Sequence, residues 1–484
     1  MLEKILKGSF NEATTYDRAE LNSKIVHIGF GAFHRGHQAV YNDITNQLSD
    51  EKWGISEINM FGASDLMTSL QQQNNLFTVV ETSKAAVNTR LVRTIVDSIH
   101  TPSTGIDKAI EKLVEPQVAI VSMTITEKGY CADPQSRTID LTNNLIKHDL
   151  ENATSPQSAI GLITEALRIR RDKGLQPFSI MSCDNIPENG ALTKGVIVEF
   201  ARQLDDQLGA WIESNVTFPS TMVDRIVPAM TEEEFDTIER HTGYRDPCGI
   251  ICEDFRQWVI EDNFVAGRPE WEKAGAMLVN DVLPYEEMKL RMLNGSHSFL
   301  AYNGSLAGYE YIYQCMEDGV FKSVTKKLMV EEQGRSLNPA LEIDLEEYAQ
   351  LLLERFSNPN IKHKTHQIAM DGSQKLPQRA LDPFLTLQER GVVPKIQPLI
   401  IAGWMHYLLN SDESMREIHD PLAPTFKDIM TLINDKSNIA NRFLDIESVF
   451  GSHGKMNTQL IDEVLNAFNK INDLGIKKTI ESLA

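Results

Sequence analysis

Short apolar runs and segments with helical spacing alternate along the first part of the chain. The apolar runs predict strands, and the segments between several of them carry apolar residues three or four positions apart, which predicts helices. Strands that alternate with helices favour a doubly wound, mostly parallel sheet. The predicted strands are 24–30, Gly54–Phe61, Arg90–Ile99, Val118–Thr124 and Phe178–Ser182, and the predicted helices are 32–48, Ile106–Val114, Ser158–Lys173 and Gly195–Leu208.

The pattern changes near Pro284, beyond which helical periodicity continues with few strand candidates. We therefore predict an α/β fold with two domains: a Rossmann-like, doubly wound domain over residues 1–283 and a mainly α-helical domain over residues 284–484. The helical segments of the second part are Tyr285–Ala307, Val320–Gln333, Leu345–Arg355, Val393–Leu409, Thr425–Ile433 and Asn457–Asn472.

The composition of the 484 residues, 42% hydrophobic and 24% charged, is that of a globular protein. The chain has no apolar run of about eighteen residues and its start lacks the apolar segment of a signal peptide, so we expect a cytoplasmic protein without a membrane partner. The net charge of −21 disfavours nucleic acid as a partner. The five cysteines are odd in number and mostly far apart, which predicts reduced thiols rather than disulfides or a zinc site.

The segment 288–297 places an amine, an amide and an imidazole on one side of an apolar helix. At about 100° per residue, Lys289, Asn294 and His297 fall near about 0°, 140° and 80°, on the same arc as Leu293. Such groups are costly to bury, so the arc indicates a functional site. In the structural alternative the lysine extends to water, the asparagine bonds locally and the histidine bonds to a carbonyl.

A glycine turn joins the first predicted strand to the helix that follows. Gly29 can form the tight turn and Gly31 can let backbone N–H groups approach a pyrophosphate, although His34 stands where a third glycine is usual. Arg35 can add a phosphate contact. Glu57 or Asp65 could bind the adenosine ribose, and Asp65 is better placed for a strand end; either favours NAD over NADP, and for each a solvated surface acid is the alternative.

Two other polar segments follow predicted strands. Asn185 comes after the strand Phe178–Ser182 and would lie at the carboxyl end of the sheet, where open α/β folds bind ligands, although it could instead cap a helix. Thr126 and Glu127 follow the strand Val118–Thr124 and could line the same crevice, with Glu127 as a candidate site carboxylate or, alternatively, a surface acid.

Basic residues concentrate in one segment of the second part. In so acidic a chain this inversion of charge suits a carboxylate-bearing substrate, and a solvated basic face is the alternative. The histidine pairs 34/37 and 363/366 resemble metal-binding spacings, but no acid or cysteine completes either pair, so no metal is expected. The segment contains Arg355, Lys362, His363, Lys364, His366, Lys375 and Arg379 against the single acid Asp371.

Together these motifs resemble the long-chain mannitol dehydrogenase family, over essentially the full chain and in family order. Within that family, Cys252–Phe264 and Gln367–Arg379 are most similar to the fructuronate reductases, also called mannonate oxidoreductases. The resemblance implies metal-independent, NAD-linked interconversion of D-fructuronate and D-mannonate. A mannitol 2-dehydrogenase or another polyol dehydrogenase is the alternative within the class, and a NAD-binding regulatory protein without turnover is the alternative outside it. The matching stretches are 29–35, 124–129, 182–185, 222–225 and Lys289-x4-Asn294-x2-His297.

The resemblance also implies roles for single residues. Lys289 becomes the acid/base, Asn294 and Asn185 donate to the reacting oxygen, and His297 binds substrate hydroxyls. Negative charge builds on the ketone oxygen during hydride transfer, so two amide donors stabilise it while Lys289 delivers a proton. In the reverse direction Lys289 must be neutral, which requires its pKa to be lowered by burial or by nearby cations. The expected substrate contacts are Asp224, Glu127 and Lys375, and the expected cofactor contacts are Gly29, Phe30, Gly31, Ala32, Phe33, Arg35, Asp65 and Thr126.

Four positions depart from what relatives usually have. His366 replaces a tryptophan, His406 an arginine, Asn303 a leucine and Ser305 a tyrosine. All four are smaller, more polar or less firmly charged than the usual residue. They leave the reaction class unchanged but bear on the choice between a uronate and an uncharged ketose.

Overall fold

The chain divides into two units, Met1–Leu283 and Pro284–Ala484. The computed structural model describes residues 1–12, 15–133, 136–339, 341, 343–413, 418–431 and 436–484. Within these residues no helix is both long and apolar enough to span a bilayer.

Eleven strands are described in the first unit, and five of them form a parallel sheet. The strands are β1 Asn22–Ile28, β2 Trp53–Asn59, β3 Phe77–Thr82, β4 Val87–Val92, β5 Ile95–His100, β6 Ile120–Met123, β7 Ser179–Ser182, β8 Thr221–Asp224, β9 Ile250–Glu253, β10 Gln257–Glu261 and β11 Met277–Val279. The parallel sheet has the order β5-β2-β1-β6-β7, and two smaller sheets have the orders β11-β10-β8 and β4-β3-β9. The prediction of a doubly wound, mostly parallel sheet is confirmed.

The apolar strands of the parallel sheet are buried on both faces, as expected for a sheet covered by helices. Val26 and Ile28 of β1 belong to one core, whereas Ile25 belongs to the other. The direction of strand succession reverses between β1 and β6, which makes the carboxyl ends of these two strands the expected place for a ligand.

The helices of the first unit lie between and after the strands. Their bounds are Leu2–Leu6, Ala32–Gly36, Gln38–Leu48, Ser64–Gln72, Thr101–Thr104, Ile106–Leu113, Thr126–Gly129, Asn144–Glu151, Ala159–Asp172, Asn189–Leu204, Asp206–Asn215 and Glu232–Thr242, with short 3₁₀ turns at Arg18–Glu20 and Trp271–Ala274.

Two predictions for the first unit need correction. The single helix predicted over 32–48 is interrupted at His37, whose Nε2 contacts the carbonyl of Gln257 at 2.9 Å. The single strand predicted over Arg90–Ile99 is two strands, β4 and β5, in different sheets. At the break between them, the backbone N–H of Arg93 donates to the carboxylate of Asp43 in the helix Gln38–Leu48 (2.9 Å) rather than to a neighbouring strand.

The second unit consists of helices joined by loops, and its described residues contain none of the eleven strands. Its α-helices are Leu283–Met288, Gly295–Leu306, Ile312–Glu317, Gly319–Lys327, Gly334–Ser336, Leu345–Phe356, Thr365–Ile368, Gly372–Leu376, Asp382–Glu389, Pro398–Glu413, Ala423–Thr431, Lys436–Leu444, Glu447–Phe450, His453–Met456, Thr458–Leu474 and Ile476–Glu481. The last two residues of the predicted helix Thr425–Ile433, at positions 432 and 433, lie outside the described residues.

Three π-helical turns interrupt the α-helices of the second unit. They span Lys289–Asn294, Leu328–Gln333 and Pro377–Leu381. The three turns pack together at Gly295, where an added Cβ would come within 2.5 Å of Gln333 Nε2 and 3.1 Å of the Arg379 carbonyl oxygen. A glycine at this position therefore allows the close approach. Single π-turns inside α-helices are frequent at functional sites.

Candidate active site

The glycine turn after β1 has the geometry of a ligand-binding loop. Gly29 has φ +110°, and a Cβ there would lie 2.2 Å from the carbonyl oxygen of Thr124, so only glycine fits. An added Cβ at Gly31 would meet only the carbonyl oxygen of Gly29, at 4.0 Å, so the protein itself does not require glycine there. The open space beside Gly31 fits a cofactor pyrophosphate that approaches the backbone.

A buried histidine and glutamate cluster lies beneath this turn. His27 pairs in register with Glu57 on β2 and Ser122 on β6, so the three side chains share one face of the sheet. His34 stacks on His27, with ring centroids 3.5 Å apart, and its Nε2 contacts Glu57 Oε1 at 2.7 Å. The imidazole of His34 thus fills the space between helix and sheet that a third glycine would leave.

The hydrogen bonds of His27 determine its tautomer. The hydroxyl of Thr124 donates to the Gly29 carbonyl (2.9 Å), so its oxygen accepts from Nε2–H of His27 (2.9 Å). Nδ1 of the neutral ring then accepts from the Ser122 hydroxyl (2.8 Å). Burial holds the pKa of His27 well below its usual value, in agreement with a neutral ring.

Burial also neutralises the other two members of the cluster. It lowers the pKa of His34 to about 3 and raises the pKa of Glu57 to about 7, the latter against the opposing interactions with His27 and Arg35. At acidic and near-neutral pH the carboxyl group of Glu57 therefore keeps its proton and donates to Nε2 of His34. Among the described residues, Nδ1 of His34 and Oε2 of Glu57 have no hydrogen-bond partner.

An acid, Glu57, contacts His34 but not His37, whose Nε2 contacts the carbonyl of Gln257 instead. Potential ligand atoms of His27, His34 and Glu57 lie within 4.8 Å of one another. A metal ion binds in the plane of an imidazole ring, however, and the two rings are nearly parallel, with an interplanar angle of 15°. Two stacked rings cannot direct their nitrogen lone pairs at one ion, so in this arrangement the three residues form hydrogen bonds rather than a chelate.

The other predicted cofactor residues of this region differ in accessibility. Arg35 is buried, and its guanidinium donates to the carbonyls of Cys248 (2.6 Å) and Gly31 (3.3 Å), so it braces the turn from within the protein. Asp65 is exposed in the first turn of the helix Ser64–Gln72, after β2 ends at Asn59. Glu57, the other candidate for the ribose, lies inside the buried cluster instead.

Asp184 joins the loops that follow β6 and β7. Its carboxylate accepts hydrogen bonds from the backbone N–H groups of Ile125 (2.9 Å) and Thr126 (3.0 Å), and from the hydroxyl of Tyr130 (2.8 Å). Thr126 adopts a left-handed conformation with φ +61°. The exposed residues Thr126 and Glu127 are thereby held beside the segment that contains Asn185, which is also exposed. The sequence motif contained Asp184, but its bracing role was not predicted.

Asn189 makes a second connection, between β7 and β8. Its side-chain amide donates to the carbonyl oxygens of Asp184 (3.0 Å) and Thr221 (2.9 Å), and its oxygen accepts from the N–H of Thr221 (3.0 Å). Asp224 is the last residue of β8 and is buried. These contacts bring the strand that carries Asp224 against the loop that carries Asn185.

In the second unit, the segment with Lys289, Asn294 and His297 is not a regular α-helix. Residues Lys289–Asn294 form a π-turn with i→i+5 hydrogen bonding, so Lys289 and Asn294, five residues apart, come into line along the helix axis. The prediction that placed them about 140° apart assumed α-helical geometry and is wrong for this turn. All three side chains are buried, and Asn294 Nδ2 and His297 Nε2 have no hydrogen-bond partner among the described residues.

Positive groups surround His297. Burial, followed by the interaction with His363 and the charges of Arg355, Arg379 and Lys289, holds the pKa of His297 well below its usual value. The ring packs on Phe356 and His363, with centroid distances of 4.4 and 5.3 Å. A neutral imidazole offers one donor and one acceptor, which suits contact with a substrate hydroxyl.

The predicted basic segment does not form one solvated face. Arg355 is buried, Lys362 is exposed, and Lys364 lies 3.4 Å from the carboxylate of Glu310. Lys375 is partly buried and donates to the carbonyls of Ile368 and Met370. Burial, and then the charge of Arg379, lowers the pKa of Lys375 to about 8.

Two of the four departures from the family pattern take part in helix packing. Asn303 is buried and its amide donates to the carbonyls of Phe299 (3.0 Å) and Leu399 (3.2 Å). The ring of His406 stacks on Phe468 at 4.2 Å, and its Nε2 contacts the carbonyl of the same residue at 3.1 Å. His366, in contrast, is exposed.

A Rossmann sheet with a glycine turn at its switch point is typical of dinucleotide-binding proteins, and the match to mannitol dehydrogenases makes the chain an oxidoreductase that acts on a CH–OH group. Residues 23–273 match the Mannitol dehydrogenase Rossmann domain, and residues 281–472 match the Mannitol dehydrogenase C-terminal domain. The chain belongs to the mannitol dehydrogenase family.

Individual relatives resemble the chain over nearly its full length. D-mannonate oxidoreductase of Escherichia coli (strain K12) is 46% identical over 473 residues, which cover 97% of each chain. Mannitol 2-dehydrogenase of Phaeosphaeria nodorum is 32% identical and covers 97% of this chain and 83% of the relative. The structure of Pseudomonas fluorescens mannitol 2-dehydrogenase, a ternary complex with NAD and D-mannitol, matches with a TM-score of 0.86 and 33% identity, covering 99% of this chain and 98% of that one.

Proposed function

We propose that the enzyme catalyses the NAD-dependent interconversion of D-fructuronate and D-mannonate. The observation that carries the proposal is the set of positive groups around His297, namely Arg355, Arg379 and Lys289. In a chain with a net charge of −21, buried cations beside the predicted catalytic residues favour an anionic substrate. The 46% identity with a D-mannonate oxidoreductase supports the same substrate pair.

NAD is the cofactor of this reaction. The geometry of Gly29 and the open space beside Gly31 fit a dinucleotide, and the structural relative with bound NAD supports the choice. When bound, the nicotinamide supplies or accepts the hydride. The residues that hold the cofactor are Gly29, Phe30, Gly31, Ala32, Phe33, Asp65 and Thr126, while Arg35 supports the turn from within the protein.

Side chains of the protein transfer the proton and stabilise the negative charge that develops on the reacting oxygen. Lys289 delivers a proton to the ketone oxygen during reduction and accepts it back during oxidation. Asn294 and Asn185 donate hydrogen bonds to the same oxygen, where negative charge builds in the transition state. The unpartnered Nδ2 of Asn294 supports this role, because a buried amide donor is rarely left without an acceptor.

The remaining contacts orient the sugar chain. His297 binds substrate hydroxyls, a role that its unpartnered Nε2 supports. Asp224 and Glu127 accept hydrogen bonds from hydroxyls, and Lys375 contributes a positive charge. An uncharged polyol is the second candidate, because mannitol 2-dehydrogenases are among the relatives and the exposed His366 departs from the usual tryptophan.

A substrate comparison tests the proposal. NADH oxidation is measured with D-fructuronate and with D-fructose, and we expect kcat/KM to be at least roughly 10-fold higher for the uronate, since a site built for a charged group disfavours an analogue that lacks it. A higher kcat/KM for fructose would make the uronate assignment wrong.

A further inference from the structure

Arg379 is attached to the predicted catalytic segment by one of its three nitrogens. It lies in the π-turn Pro377–Leu381, and its Nη1 donates to the carbonyl of Asn294 and the hydroxyl of Ser298, both at 3.3 Å. The close contact at Gly295 brings this turn against the segment. The guanidinium therefore has a defined position relative to Asn294.

The other edge of this guanidinium has no partner in the described part of the chain. Nε and Nη2 of Arg379 make no hydrogen bond with any described residue, and the side chain is partly exposed. Among the same residues, no carboxylate comes within 4.0 Å of Arg379. Burial lowers the pKa of the guanidinium to about 10, so it remains charged at neutral pH. A charged group in so confined a position without a counter-ion calls for an anionic ligand.

Neighbouring groups add donors at the same place. The ammonium of Lys375 uses two of its three hydrogens on carbonyls and has no carboxylate within 4.0 Å in the described part of the chain, although Asp371 and Asp420 influence it from farther away. Nδ1 of His363 is buried without a hydrogen-bond partner among the described residues. The ring of His363 lies 5.3 Å from that of His297, and burial, followed by the charge of Lys375, lowers the pKa of His363.

We propose that the Nε–Nη2 edge of Arg379 binds the carboxylate of the sugar acid in a bidentate manner, with Lys375 and His363 as further donors. The planar fork of a guanidinium matches the two oxygens of a carboxylate, whereas a terminal hydroxyl can accept only one of the two bonds well. This inference rests on the proposed function, because it names the part of the site that distinguishes a uronate from a ketose. The same guanidinium holds the carbonyl of Asn294, so it links the bound carboxylate to the catalytic segment.

The substitution Arg379→Lys tests the fork, because lysine keeps the positive charge and loses the second parallel donor. We expect kcat/KM for D-fructuronate to fall by roughly 10-fold to 100-fold, with a change of no more than about 3-fold for D-fructose. Arg335→Lys, at an exposed arginine of the same unit, is the matched control and should change neither value. Ser298→Ala removes a partner of Nη1 but not the free edge, so it should leave the ratio of the two kcat/KM values unchanged.

If Arg379→Lys lowers kcat/KM equally for D-fructuronate and D-fructose, the inference is overturned, because the arginine would then only position Asn294. A wild-type preference for fructose would overturn the proposed function, and the carboxylate site is then tested by inhibition of fructose reduction. D-mannonate should inhibit the wild-type enzyme at least roughly 10-fold more strongly than D-mannitol, and lose this advantage in Arg379→Lys. Equal inhibition by mannonate and mannitol in the wild type, which needs no folded variant, would refute the site.

Discussion

The buried pair of Glu57 and His34 makes a prediction about stability that does not depend on the substrate. In Glu57→Gln the side chain keeps its shape, and its amide NH₂ can donate to Nε2 of His34 as the protonated carboxyl group does. The hydrogen bond is therefore preserved at every pH, whereas the titration of position 57 is removed.

The size of the contribution of Glu57 to the free energy of unfolding follows from its pKa, which is about 7 in the folded protein and 4.5 for an ordinary glutamate. Between these two values the native state holds a proton that the unfolded chain releases. The stability that this proton provides is complete below pH 4.5 and is lost as the pH rises through 7. The loss amounts to about 3 kcal/mol, the free-energy equivalent of the difference between the two pKa values.

His34 has the opposite dependence. Its pKa is about 3 in the folded protein against an ordinary value of 6.5, so stability is lost as the pH falls from 6.5 toward 3. The two effects oppose each other in the wild type between pH 4.5 and 6.5. Comparison of the variant with the wild type at each pH separates them, because only the effect of Glu57 is removed.

The assay is urea-induced unfolding at pH 5 and pH 8, followed by tryptophan fluorescence. Four of the five tryptophans, Trp53, Trp211, Trp258 and Trp271, belong to the unit that contains Glu57. Relative to the wild type, Glu57→Gln should gain about 2.5 kcal/mol in free energy of unfolding on going from pH 5 to pH 8, because at pH 5 the unfolded chain has already released most of this proton. Glu20→Gln, at an exposed position of the same unit, is the control. The reasoning is refuted if the difference between variant and wild type is the same at both pH values.

Further expectations concern catalysis. Lys289→Ala should lower kcat by roughly 10²-fold or more, as for loss of a positioned acid/base, and unchanged turnover would contradict that role. Asn294→Ala and Asn185→Ala should each lower kcat by roughly 10-fold to 10³-fold if both donate to the reacting oxygen, whereas an effect on KM alone would indicate simple substrate binding. Activity should survive exhaustive chelation, and loss of activity that zinc restores would show that a metal is needed.

The apolar strands and the glycine turn could be predicted because their causes are local. Buried parallel strands require continuous apolar runs, and the turn at Gly29 requires a residue without Cβ, so both leave a mark on consecutive positions. The missed division of Arg90–Ile99 occurs at Arg93, whose backbone N–H bonds to Asp43 of another element. Local periodicity contains no information about such a contact.

The catalytic segment shows the same limit. Its sequence indicated that Lys289, Asn294 and His297 share one side, but the α-helical spacing misplaced Asn294 relative to Lys289. The π-turn that aligns them packs against two other π-turns through Gln333 and Arg379, which lie far away along the chain. Because a π-turn depends on such packing, the hydrophobic pattern of the segment does not reveal it.

By itself, the sequence determined the doubly wound fold, the helical nature of the second part and the residues that resemble a known active site. Only the tertiary structure decided which polar groups meet: His27 with Glu57 and Ser122 across three strands, and Arg379 with Asn294. The physical reason is that a strand or helix forms from local preferences, whereas the register between distant segments is set by the packing of the whole unit. The charge and protonation of these buried groups depend on that packing in turn, because burial and neighbouring charges determine their pKa values.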